Sequence, residues 1–233
     1  MFETTIRDGV LQAKSPGARW LLTGWSGGYT NSDAVYNVSV PEGWERTDLD
    51  TYVEERRQAA GFETAGPGLL TGVELQHAAG AARNGVRAVA TVGLSNPASL
   101  PLHPDGSEPA GLIDTAPEPG TINLLVGTDR ALEDGTLATL LAAVVEAKTA
   151  TVQAHTGFTG TTSDAVAVAT DPAGDPSAFA GSATAVGDAA RSAVRRAITD
   201  SLASRMAESP PPETVEAADA GIVTSQDAAP FDP

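Results

Sequence analysis

The chain has no cysteine and almost no lysine. Without cysteine, disulfides, thiolate nucleophiles and zinc–thiolate centres are excluded. The three histidines, His77, His103 and His155, lack the spacing of metal ligands, so no protein-bound catalytic metal is expected. Nucleotide motifs are missing as well. The glycine-rich stretch at 157–160 is not followed by Gly-Lys-Ser/Thr, and there is no dinucleotide fingerprint. No run approaches the ~18 apolar residues of a membrane span. Residues 1–10 carry charges and no apolar signal segment, so a soluble, cytoplasmic protein is expected.

What the chain does have is acid. It carries 30 Asp and Glu against 14 Lys and Arg, a formal charge of −16. Nucleic acids and anionic membranes reward basic clusters and are poor partners for it. Only Lys14 and Lys148 are lysines; the other twelve cations are arginines. An acidic chain short of lysine and large aromatics, and rich in Ala, Gly and Thr, fits a protein that stays soluble in molar salt. There the Debye length shrinks to about 3 Å and self-repulsion costs little.

No repeat or composition shift before residue 208 divides the 233 residues, so 1–207 reads as one domain. Residues 3–13 and 18–25 read as two strands about Ser15-Pro16-Gly17, and a further strand spans 36–40. A helix is expected from Thr47 or Asp48 to Gln58, and strands at 86–94, 121–126 and 165–170. The proline-rich residues 95–120 read as a long loop, of a length that is usually functional or mobile. Two long helices are expected at 132–155, capped by Asp134 or Thr136, and at 187–206. Together these make an α/β class protein, a single layered domain with a mixed sheet and long amphipathic helices, its strand order open. Residues 208–233 hold six acidic residues, no basic one and a Pro210-Pro211-Pro212 run, the composition of a solvated, disordered tail.

Within the 132–155 helix, Leu137, Leu141 and Val144 form an apolar stripe, and Lys148 continues it. A lysine there is desolvated, paired or reaching to a rim, where it would bind a carbonyl or activate a hydroxyl; equally, it could snorkel near a helix end. His155 falls close to the same line, whereas Glu146 faces the surface. Next comes Gly157-Phe158-Thr159-Gly160-Thr161-Thr162-Ser163-Asp164, whose hydroxyls, backbone N–H groups and carboxylate could hold an oxyanion or carboxamide. Taken alone it reads as a self-satisfied turn. Asn123 sits on a strand and requires a hydrogen-bonding partner if buried. Ser26, between Trp25 and Gly27, is a serine at a flexible strand end without a Gly-x-Ser-x-Gly elbow. Trp20, Trp25, Tyr29 and Tyr36 concentrate the few aromatics where a flat ligand could stack.

Six stretches in order resemble the adenosylcobinamide amidohydrolases: Ser26-Gly27-Gly28 with Tyr36-Asn37, Thr91-Val92-Gly93-Leu94-Ser95-Asn96-Pro97, Gly120-Thr121-Ile122-Asn123, Glu146-Ala147-Lys148-Thr149-Ala150, Gly160-Thr161-Thr162-Ser163-Asp164 and Phe179-Ala180-Gly181-Ser182-Ala183-Thr184. The resemblance covers about residues 5–205. It departs from the family pattern at Thr71-Gly72 and Thr162-Ser163. It implies a hydrolase, from a haloarchaeon-like source, that cleaves the amide joining a corrin propionate to aminopropanol. Adenosylcobyric acid and 1-amino-2-propanol would be the products, in cobalamin salvage. Cobalt would enter only within the corrinoid, and no other cofactor is implied. Such chemistry calls for a hydroxyl nucleophile (Ser26, Thr161 or Thr162) or water activated by Asp164, with Lys148 and Asn123 on the oxyanion. Asn37, Asn96, Tyr36, Trp25 and Thr161 are expected at the substrate. A corrinoid carrier without turnover and an amidase of another substrate are the alternative classes.

Overall fold

The computed structural model describes residues 1–41, 43–107, 121–218 and 220–232. Strands β1 (Glu3–Arg7) and β2 (Val10–Lys14) form a hairpin. Residues 3–13 are therefore two strands and not one. Asp8-Gly9 makes the turn, with both residues at positive φ (47° and 72°), the twist that an Asp-Gly hairpin supplies. The same device, Asn84-Gly85 at φ 44° and 76°, joins β7 (Ala79–Arg83) to β8 (Val86–Val92). Also present are β3 (Arg19–Leu22), β4 (Gly28–Asn31), β5 (Ala34–Ser39), β6 (Gly68–Thr71), β9 (Pro97–Ser99), β10 (Ile122–Thr128), β11 (Gly160–Thr161), β12 (Ala165–Thr170) and β13 (Ile222–Val223).

Three helices complete the fold: α1 (Leu49–Ala59), α2 (Asp134–Thr156) and α3 (Ala185–Met206). The N-cap of α2 is Glu133, one residue before Asp134, the nearer of the two expected caps, and Gly157 closes the helix in the left-handed region. On α3 the Thr184 hydroxyl accepts the Gly187 N–H, an ordinary side-chain cap.

The strands make a sheet of order β1-β2-β5-β6, a second of order β4-β3-β12-β10-β8-β7, and a small β11-β9-β13 sheet. Alternation stacks the large ones. On β12, Ala165, Ala167 and Ala169 face the first sheet along with Trp20, Val35, Leu69 and Leu125. Val166 and Val168 face the other way, into the core shared with α2 and α3. The outer side of the first sheet packs Tyr36 and Val38 on Tyr52 and Val53 of α1. The layers thus run α1, sheet, sheet, α2 with α3. Strand β10 is buried on both faces, and for that reason Leu124, Leu125 and Val126 run apolar without alternation. The abundant alanine acquires a purpose on α3, where Ala189, Ala190, Ala193 and Ala197 are buried in the core shared with the alanines of β8.

At 23 residues, α2 is long and apolar enough to cross a bilayer, yet it is a core helix with Leu137, Leu140 and Val144 fully buried. Of the expected 95–120 loop, residues 108–120 lie outside the described residues. Residues 97–99 are strand β9, which pairs antiparallel with β11 and parallel with β13.

The tail departs from the disordered end expected of it. Val215 is buried in the main core, β13 pairs with β9, and Ser225 donates to the Ser107 carbonyl. Its few apolar residues fall where a sheet edge and a core margin can take them.

Candidate active site

The first residues of β10 and β12 and the exit of β8 lie together at one end of the six-stranded sheet, because β10 runs parallel to β12 and antiparallel to β8. Lys148 reaches this end from α2 along the buried stripe of Leu137, Leu140 and Val144, as helical phase requires, whereas Leu141, expected on that stripe, is only partly buried. Its ammonium pairs with Oδ2 of Asp164, the residue preceding β12, and both side chains are largely buried.

Asp164 is crowded with donors. Its Oδ1 accepts the Ile122 N–H at 3.0 Å and the Thr161 hydroxyl at 2.5 Å, and the Thr161 N–H lies 3.3 Å from both oxygens. The 160–164 turn folds round the carboxylate, and Gly160 makes this possible. A Cβ there would stand 2.5 Å from Asp164 Oδ2 and 2.8 Å from Lys148 Nζ, too close for either to stay. The sequence signal for Gly160 was visible only as one of two glycines in the turn.

Lys148, Asp164 and Thr161 are therefore one unit: a hydroxyl hydrogen-bonded to a carboxylate that is paired with a buried lysine. Proton acceptor and hydroxyl stand within transfer distance, with a positive charge beside them. Thr162 and Asn96 form the neighbouring wall, where the Thr162 N–H donates to the Asn96 carbonyl at 3.1 Å. Asn96 is buried and immediately precedes β9, which pairs with β11, the strand that carries Thr161.

Other expected site residues are engaged elsewhere. Asn123 points between the two sheets, and its amide donates to Asn37 Oδ1 and to the Leu70 carbonyl, both at 2.8 Å. With both amide protons taken, Asn123 has none to offer an oxyanion. Asn37 donates in turn to Thr91 Oγ1 at 3.0 Å and is 1% exposed, beyond the reach of a ligand carboxamide. These residues join the sheets. Thr121, which the sequence reading overlooked, links this cluster to the turn: its hydroxyl lies 3.0 Å from Asn123 Oδ1 and 2.7 Å from the Ser163 carbonyl.

Tyr36 is a core residue on the outer face of the first sheet. Its hydroxyl donates to the Thr64 carbonyl and accepts from Gln12, and burial pushes its pKa up. Ser26 occupies an exposed turn at φ 50°. Its hydroxyl is 3.4 Å from Asp50 of α1, which also accepts the Trp25 indole N–H at 2.9 Å. No hydrogen bond links Ser26 or Trp25 to Lys148, Asp164 or Thr161 among the described residues. His155 is exposed beside Thr199 and does not continue the buried stripe, while Glu146 pairs with Arg191 on the surface. Among the described residues no three His, Asp or Glu side chains gather as metal ligands would.

A family model described as adenosylcobinamide amidohydrolase matches residues 2–210. Across the full length of both chains, over 237 positions, the sequence is 50% identical to an adenosylcobinamide amidohydrolase of Halobacterium salinarum. A Methanosarcina mazei adenosylcobinamide amidohydrolase is 26% identical over 190 residues, covering 77% of this chain and 88% of its own.

Proposed function

Because the chain belongs to the adenosylcobinamide amidohydrolase family and is thereby a hydrolase of an amide C–N bond, we propose that it cleaves adenosylcobinamide at the propionate–aminopropanol amide. The products are adenosylcobyric acid and 1-amino-2-propanol, which returns an incomplete corrinoid to cobalamin synthesis. Cobalt enters only with the substrate. The acidic composition and the 50% identity to a Halobacterium protein support work in a salt-rich cytoplasm.

The observation that carries the mechanism is the Thr161 hydroxyl donating at 2.5 Å to the carboxylate that Lys148 pairs. Thr161 Oγ1 attacks the amide carbon as its proton passes to Asp164, and the carbonyl electrons move onto oxygen. Lys148, the one cation in this unit, stabilises that developing charge. As the oxygen electrons return, the C–N bond breaks and the proton on Asp164 goes to the departing nitrogen. Water then attacks the Thr161 ester, giving its proton to Asp164, and the carboxylic acid leaves as Thr161 recovers a proton. The sum is one water consumed per amide.

Incubation with adenosylcobinamide followed by mass spectrometry should reveal adenosylcobyric acid. Binding without product would instead make the protein a carrier, and neither binding nor product would end the corrinoid reading. Thr161→Ala should lower kcat by about a thousandfold or more, whereas Ser26→Ala keeps activity within about fivefold of wild type. The opposite ranking moves the nucleophile to Ser26.

A further inference from the structure

Beside the Thr161 unit, at the same end of the sheet, a pocket of about 220 Å³ opens between the exit of β8, the last turn of α3 and residues 209–212. It borders the site through two hydrogen bonds. The Gly93 N–H donates to the Thr121 carbonyl, and Ser95 precedes Asn96, whose carbonyl takes the Thr162 N–H. Its lining combines backbone, Pro210-Pro211-Pro212, aliphatic side chains, Met206, Ser95 and Ser209, and among the described residues Arg205 is its single charged group.

Arg205 stands apart from most arginines of this chain. Arg19, Arg46, Arg57, Arg83, Arg191 and Arg196 each hold a carboxylate. Arg205 lies half-buried with no side-chain acceptor among the described residues. A guanidinium carries five N–H donors and no acceptor, so at a pocket wall it presents donors suited to an oxygen ligand. The opposite wall is firmly placed. Glu208 lies 3.1 Å from the buried His77, Val215 enters the core, and β13 is paired to β9.

Building on the corrinoid reading, we propose that Arg205 is a substrate-binding residue that donates to the carbonyl oxygen of a peripheral carboxamide of the corrinoid. Residues 209–212, with Ala217 and Ala218, form the wall of that subsite. A neutral carbonyl suits one cation in a chain of charge −16 better than a phosphate dianion does.

The test is steady-state kinetics with adenosylcobinamide on the full chain. Arg205→Gln should raise KM about ten- to a hundredfold, the loss of one charge-assisted hydrogen bond, with kcat held within about twofold and an unchanged thermal midpoint. Arg205→Lys should recover part of the loss. Ala218→Phe, which fills the pocket, should also raise KM. An unaltered KM in Arg205→Gln overturns the proposal, and so does an equal fall in kcat and midpoint without change in KM. If the wild type binds adenosylcobinamide without turnover, the cleavage reading fails by itself. Titration followed by corrin absorbance then decides: weaker binding by Arg205→Gln upholds the subsite, and equal binding removes it.

Discussion

Replacing Lys148 by methionine keeps the length and apolar bulk of the side chain while removing the cation from Asp164. The two side chains are only 9% and 13% exposed, so water cannot replace the lost partner fully. At an effective dielectric near 20, a contact pair about 3 Å apart attracts by roughly 5 kcal/mol, part of which offsets the desolvation of both ions. Removing one member of a buried pair costs about 3–5 kcal/mol, because the other charge is left behind. Asp164 keeps the Ile122 N–H and the Thr161 N–H and hydroxyl, which places the expected cost at the lower end, about 3 kcal/mol. For a chain of this size that lowers the thermal midpoint by about 6–12 °C. Urea unfolding in molar KCl, followed by tryptophan fluorescence, measures the stability. The turnover of adenosylcobinamide well below the midpoint measures catalysis, where kcat should fall about a hundred- to a thousandfold. Adding Asp164→Asn to Lys148→Met removes the stranded charge, so the double variant should be more stable than Lys148→Met yet remain inactive. A Lys148→Met enzyme with full activity and less than about 1 kcal/mol lost would refute the reasoning, because the pair would then be neither buried in effect nor part of the chemistry.

Asn123→Ala should cost about 1–3 kcal/mol by stranding the Asn37 carbonyl oxygen and the Leu70 carbonyl between the sheets, with kcat within about threefold of wild type. A fall in kcat of a hundredfold without loss of stability would instead return Asn123 to the oxyanion. The charge of −16 predicts a thermal midpoint that climbs from dilute buffer to molar KCl as self-repulsion is screened; a level or falling midpoint in a salt series would contradict it.

Hydroxyl-rich turns and buried amides look alike in a sequence, and here they parted company. Thr161 was one of three candidate hydroxyl nucleophiles and Asn123 a candidate oxyanion donor. The chain path decided between them: Thr161 meets Asp164 three residues on, whereas Asn123 meets Asn37 from the other sheet, 86 positions away. Tyr36 was placed at the substrate for its ring and strand position. It faces α1 because alternation on β5 sends Val35 and Asn37 inward and Tyr36 outward. Arg205 gave no signal at all, since a lone arginine in a last helical turn ordinarily just complements the dipole.

The sequence by itself determined what is local or compositional. Lack of cysteine removed thiol chemistry, and the 3.6-residue period put Lys148 on the buried side of α2. The Asp-Gly and Asn-Gly turns were there to be read, and reading them would have supplied the hairpins of β1 with β2 and β7 with β8. The second sheet, the union of Lys148 with Asp164 and Thr161, and the docking of the last residues on β9 were decided only by the tertiary structure. Each depends on which strands become neighbours, and that is set by the joint burial of faces far apart in the chain, which no local period records.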